Sequence, residues 1–94
     1  MGISVDFQLP DNLTIANVHG LHEQLEALVE EEENDKIVIQ AGGVTRADTA
    51  GIQLLLAFVN SAKEHQISLD WDHPSDKLLT AASVLGLENA LGMH

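Results

Sequence analysis

Lys36-Ile37-Val38-Ile39-Gln40, then Ala41-Gly42-Gly43-Val44-Thr45-Arg46, then Ala50 through His65, is the stretch on which the fold turns. Its first five residues form a short apolar run of β-branched side chains, the pattern of a strand covered on both faces and central in its sheet. Ala41 to Arg46 holds two glycines and no periodicity, so it is a loop. Beyond it Ile52, Leu55, Leu56, Val59 and Ala62 recur at three- and four-residue spacing, the buried arc of a helix over about residues 50–65. Thr49 stands where the N-cap of that helix belongs, with a hydroxyl able to accept from the orphan amides of Ala50-Gly51-Ile52.

Upstream, Ile3, Val5, Phe7 and Leu9 alternate with polar residues as far as Pro10, the period of a half-buried strand. Asp11-Asn12 reads as a turn and Leu13 to Ala16 as a second strand, so the chain is expected to open with a hairpin. From Asn17, a candidate N-cap, the spacing of Val18, Leu21, Leu25, Leu28 and Val29 predicts a helix to about Glu33, acidic on its outer face. The run Glu30-Glu31-Glu32-Glu33 is its solvated end, and Asn34-Asp35 closes it.

Downstream, Ile67 to Trp71 is another strand. Ser75 is a plausible N-cap for a helix with Leu78, Leu79, Ala82 and Leu85 on its apolar face and Gly86 at its C′ position. Leu87 to Met93 can form one more short turn. The order β-β-α-β-α-β-α with a helical tail predicts an α/β domain in which helices pack on a sheet of about four strands.

The chain has 94 residues, 45% of them apolar, enough for one domain with a thin core and little room for an enclosed active site. Fifteen acidic residues stand against only Lys36, Arg46, Lys63 and Lys77, a formal net charge of −11. That balance argues against a phosphate backbone or anionic lipid heads and for a basic or neutral protein partner. No cysteine is present, which removes disulfide and thiolate metal sites and agrees with a reducing cytoplasm. Met1-Gly2-Ile3-Ser4 lacks the basic start and apolar run of a signal peptide, and no apolar stretch approaches the ~20 residues a membrane-spanning helix needs.

In doubly wound sheets, sites form where a strand's carboxyl end passes through a loop into a helix, which singles out Ala41 to Gly51. Thr49 reads either as a simple cap or as a modifiable hydroxyl. A phosphate there would be favoured by the free amides and helix dipole by roughly 0.3–1 kcal/mol while adding about −1.5 to −2 charges to the surface. Leu54 and Phe58 lie a row away from the buried arc, on the side of Gly51, and are either an apolar docking patch beside Thr49 or side chains covered by a tail helix.

Other constellations point to less. His19, His22, Glu23 and Glu26 share one helical stretch, but no second cluster completes a metal site, and a solvated face is the expectation. Gly42-Gly43 lacks the Gly-Lys-Ser/Thr ending of a nucleotide loop. Ser4, Ser61, Ser68, Ser75 and Ser83 sit in no nucleophile elbow. Asp48 is an anion at a helix start rather than a catalytic base. Trp71 is either core or an interface anchor. No catalytic set, metal site or cofactor is expected.

Val44-Thr45-Arg46-Ala47-Asp48-Thr49-Ala50-Gly51-Ile52-Gln53-Leu54-Leu55-Leu56 resembles the core motif of STAS domains, the fold of bacterial anti-sigma factor antagonists. Leu85-Gly86-Leu87 with Leu91 resembles the family's ending. The resemblance spans essentially the whole chain. It implies a single STAS-like α/β domain over residues 1–94, with an about four-stranded mixed sheet, three main helices and a short C-terminal helix.

By the same resemblance the chain is a cytoplasmic, non-enzymatic phosphoprotein of bacterial signal transduction. Thr49 is then the phosphoacceptor, and Asp48, Thr49, Ala50, Gly51, Gln53, Leu54 and Phe58 form the contact surface for an anti-sigma factor or other serine/threonine kinase. Two departures stand out: the hydroxyl is Thr where Ser is commoner, and Ala50 replaces a frequent second Ser. Asp-Thr-Ala-Gly also resembles the STAS subunit of the bacterial phospholipid-transport ABC system, which docks on an ATPase subunit. Stand-alone members occur with chemotaxis proteins as well. The alternative is therefore a constitutive subunit or adaptor without phosphorylation.

Overall fold

The computed structural model describes residues 2–31 and 33–93. Expectations that touched Met1, Glu32 and His94 lie outside the described residues. Strand β1 (Ile3–Gln8) is followed by the two-residue β2 (Asn12–Leu13), helix α1 (Val18–Glu30), β3 (Asn34–Gln40), the two-residue β4 (Arg46–Ala47), α2 (Thr49–Glu64), β5 (Ser68–Asp72), α3 (Asp76–Val84) and a single-turn α4 (Glu88–Leu91).

β3 lies centrally, as its composition predicts, in a three-stranded sheet of order β1-β3-β5, and β2 and β4 form a separate two-stranded ladder. Every pairing is parallel. The expected mixed four-stranded sheet is therefore an all-parallel arrangement of three strands plus two.

The opening hairpin does not form. Leu9 continues β1 onto β3 by donating its N–H to Gln40 at 3.0 Å. Pro10 has no N–H to give, and the Asp11 carbonyl accepts from Thr45 (2.8 Å) and Arg46 (3.2 Å), far along the chain. These long-range bonds turn Asn12–Leu13 away from β1 and onto Arg46–Ala47. Leu13, fully buried, anchors the turn.

Parallel register puts Val5, Ile37 and Leu69 in one row and Phe7, Ile39 and Trp71 in the next, all on one face. These side chains pack against the buried residues of the helices: Leu21, Leu25 and Val29 of α1, Ile52, Leu55, Phe58, Val59 and Ala62 of α2, Leu78 and Ala82 of α3, and Leu91 of α4. The alternate positions Ser4, Asp6, Lys36, Ser68 and Asp70 are exposed, and Lys36 Nζ reaches Asp70 Oδ2 at 2.9 Å across them. The sheet is thus covered on one face only, against the reading of β3 as covered on both. Ile37 and Ile39 point inward, while Val38 is half-buried on the polar side.

Helix ends account for most remaining boundaries. Asn17 occupies the N-cap of α1 without a side-chain bond to it, and the helix stops at Glu30. Asn34 opens β3 and its amide donates to the Leu28 carbonyl at 2.9 Å, serving a carbonyl near the helix end. Ser75 caps α3 by accepting from the Leu78 amide at 3.1 Å. That helix closes with Gly86 at φ 69°, its N–H on Ser83 O and the Leu87 N–H on Ala82 O, the paired bonds of a Schellman end. Leu85, assigned from spacing to the apolar face, is exposed at this C-cap because the helix has already ended.

The half-buried Trp71 donates its indole N–H to the Leu91 carbonyl at 2.7 Å and so ties α4 to β5. Trp71→Phe should lower stability in urea unfolding by about 1–2 kcal/mol, since it removes this bond and leaves a carbonyl without its partner. The loss should appear first as faster hydrogen exchange in α4.

Candidate functional site

The loop after β3 is tied at both ends before it reaches α2. Ala41 donates to Asp72 O (3.2 Å) and accepts from Ser75 N (3.1 Å), and a Cβ on Gly42 would stand 3.2 Å from His73 O. The loop therefore packs on the β5–α3 turn, and β4 delivers Asp48 to the start of α2.

Asp48, not Thr49, is the N-cap of α2. Its Oδ1 accepts from Gly51 N–H at 2.9 Å and its Oδ2 from Ile15 N–H at 2.9 Å, while its own N–H donates to Leu13 O at 2.9 Å. Adjacent Asp and Thr are both good caps, and the approach of the β2–α1 segment selects the residue with two acceptor oxygens. The two backbone amides, Gly51 first and Ile15 second, hold the Asp48 carboxyl below its ordinary value.

Gly51 is buried where this segment crosses α2. A Cβ there would lie 2.1 Å from Leu13 O and 2.6 Å from Leu13 C. Thr49, relieved of capping, is the first residue of the helix and exposed. Ala50 is half-buried, Gln53 exposed and Leu54 half-buried on the following turn.

Phe58 is not on the surface. It is 4% exposed, enclosed with Leu25 and Val29 of α1 around a crevice of about 70 Å³. The apolar excess that suggested a docking patch at Leu54 and Phe58 is consumed in the α1–α2 seam. The cover is α1 rather than the tail helix.

A different apolar surface borders Thr49, one that spacing did not reveal. A depression of about 260 Å³ lies between Ala47, Asp48 and Thr49 on one side and Ala81, Val84 and Leu85 of α3 on the other. Val84 is 78% exposed and Leu85 36%, and Ile15, whose N–H is held by Asp48, is 70% exposed. The available signal was that Val84 falls outside the Leu78–Ala82 arc and that Ile15 closely follows the end of a two-residue strand.

On α1, His19 faces Glu23 at 3.5 Å and His22 faces Glu26 at 3.4 Å, all four exposed. Among the described residues no group of three or more His, Cys, Asp and Glu converges, and no helix is long and apolar enough to cross a membrane.

The family described as Mlab, STAS domain matches residues 2–93, and the chain belongs to the STAS domain family. Domains of this family typically mediate protein–protein interaction in signalling or transport-associated roles. No curated protein matches the chain.

Two outcomes test the geometry. Gly51→Ala should destabilise by about 3 kcal/mol in urea unfolding, because the new methyl meets backbone that cannot yield. Gly20→Ala, inside α1 with nothing within 4 Å of its Cβ, should instead stabilise by about 0.5–1 kcal/mol.

The second concerns acid. A carboxyl held low contributes stability that is complete above its unfolded value and lost as pH falls through the folded one. Protection of the Ile15 and Gly51 amides should therefore fall together below about pH 4. In Asp48→Asn, with one acceptor oxygen in place of two, one of these amides should exchange freely at every pH.

Proposed function

We propose that the chain is an anti-sigma factor antagonist-like regulatory protein, a non-enzymatic domain over residues 1–94. In this reading it works in the bacterial cytoplasm and binds a partner kinase through the start of α2. The contact residues are Asp48, Thr49, Ala50, Gln53 and Leu54, with phosphorylation of Thr49 as the control. Gly51 takes part as the position that lets β2 pass, and Phe58 as the packing beneath Leu54.

The observation that carries this reading is the division of labour at the helix start. Asp48 caps, so the exposed Thr49 hydroxyl can accept a phosphoryl group without loss of the cap. A phosphate at the first turn is compatible with the helix dipole, so the fold should survive while the contact surface gains about −1.5 to −2 charges. Placed beside exposed Val84 and Leu85, that charge would oppose burial of the surface under a partner.

A second reading, a constitutive subunit docked on the ATPase of a phospholipid-transport ABC complex or a chemotaxis adaptor, is favoured by Asp48-Thr49-Ala50-Gly51, in which the second hydroxyl is replaced by Ala50. Incubation with candidate kinases and ATP, read by intact mass, separates the two. The first expects one added phosphate that Thr49→Val abolishes, and the second expects an unmodified chain that co-purifies with the ATPase.

Thr49→Glu should weaken partner binding at least about tenfold, a change of about 1.4 kcal/mol, while thermal stability stays within about 1 kcal/mol of the parent. Unchanged affinity in calorimetry would remove Thr49 as the control point.

A further inference from the structure

Because β2 turns away onto β4, β1 ends the sheet with one side unpaired. Leu9 donates to Gln40 O, and the register with β3 is regular from Ser4 to Gln8. The period of two therefore aims the backbone of Val5, Phe7 and Leu9 at β3 and that of Ser4, Asp6 and Gln8 outward. These three residues are exposed, and among the described residues no other element supplies a hydrogen-bond partner for their backbone groups.

The opposite edge is finished differently. β5 carries two acids, Asp70 and Asp72, and the chain's last described residues run beside it, with the Trp71 indole on Leu91 O and Gly92 and Met93 close to Leu69 and Trp71. β1 has neither guard. No lysine or proline interrupts Ile3–Gln8, β3 is the one element among the described residues in extensive contact with it, and Ile3 is 46% exposed.

We propose that β1 is a strand-addition site that takes an extended segment of a basic partner protein as the fourth strand of the sheet. The inference does not depend on Thr49. A row of alternating N–H and C=O groups is satisfied in series only by another extended backbone, which fixes the conformation of the occupant. On the helix-covered face the added strand would continue the rows of Val5 and Phe7 with apolar side chains. On the bare face its alternate residues would stand beside Ser4, Asp6 and Gln8. Asp6 is the single charge of this edge and forms no ion pair among the described residues, so a lysine or arginine is favoured opposite it.

The same residue works against a second copy of the chain. Antiparallel pairing of two β1 strands that engages Ser4, Asp6 and Gln8 together sets Asp6 opposite itself, between chains that each carry a net charge of −11. A slipped register that separates the two carboxylates shortens the ladder.

The test uses the full chain and three synthetic peptides as long as β1. One alternates lysine and valine, one alternates glutamate and valine, and one is the lysine–valine peptide methylated at the lysine backbone nitrogens. The lysine–valine peptide should slow hydrogen exchange at the amides of Ser4, Asp6 and Gln8 and leave those of Val5 and Phe7, already turned to β3, unchanged. The methylated peptide should protect none of them. Asp6→Lys should raise the Kd of the lysine–valine peptide by about tenfold and reverse the preference in favour of the glutamate peptide, with melting unchanged because Asp6 is exposed.

No protection with the lysine–valine peptide in large excess, protection outside β1, equal binding of the methylated peptide, or an unchanged Kd in Asp6→Lys would each overturn the strand-addition site. A free chain that sediments as a dimer with the Ser4, Asp6 and Gln8 amides already protected would overturn the basic partner and give the edge to a second copy.

Discussion

The carboxylate of Asp48 accepts two backbone N–H groups from different parts of the chain, Gly51 three residues on and Ile15 thirty-three residues back. One oxygen starts α2; the other fixes where the chain goes after β2. The contact closes only because residue 51 is glycine, since Leu13 O occupies the place where any Cβ would stand. Capping, the passage of β2 and the exposure of Ile15 are therefore one arrangement. Thr49 is exposed as a consequence, because the residue before it has taken over the cap.

The sheet imposes the second constraint. A parallel sheet ordinarily has helices on both faces. Here one face packs against the helices and the other is a polar surface of Ser4, Asp6, Lys36, Ser68 and Asp70, with Val38 its only large aliphatic position in β3. All helices consequently share one apolar cluster. α3 is held beside β4 and the start of α2, and its outer edge, Val84 and Leu85, becomes a wall of the depression at Thr49.

Elements with strong periodicity are legible in the order of residues alone. Leu21, Leu25 and Val29, like Ile52, Leu55, Val59 and Ala62, are buried as their spacing requires, and Ser75 and Gly86 begin and end α3 as their chemistry predicts. Pairing is not legible in that way. Pro10-Asp11-Asn12 reads as a hairpin turn locally, and only the Asp11 carbonyl meeting Thr45 and Arg46 shows that the partner of β2 lies beyond α1 and β3. Likewise Ile37-Val38-Ile39 looks uniformly apolar in one dimension, although a period of two sends its middle residue to the solvent side.

By itself the sequence determined the α/β class, the order of elements apart from the two-residue β4 and the acidity of the chain, and it directed attention to Asp48-Thr49-Ala50-Gly51, because these depend on residue type and near-neighbour spacing. Tertiary structure decided which of two adjacent caps is used, that Phe58 is buried beneath α1, and that Val84 and Leu85 of α3 border Thr49. Those outcomes depend on contacts between segments separated by tens of residues, for which local periodicity carries no signal.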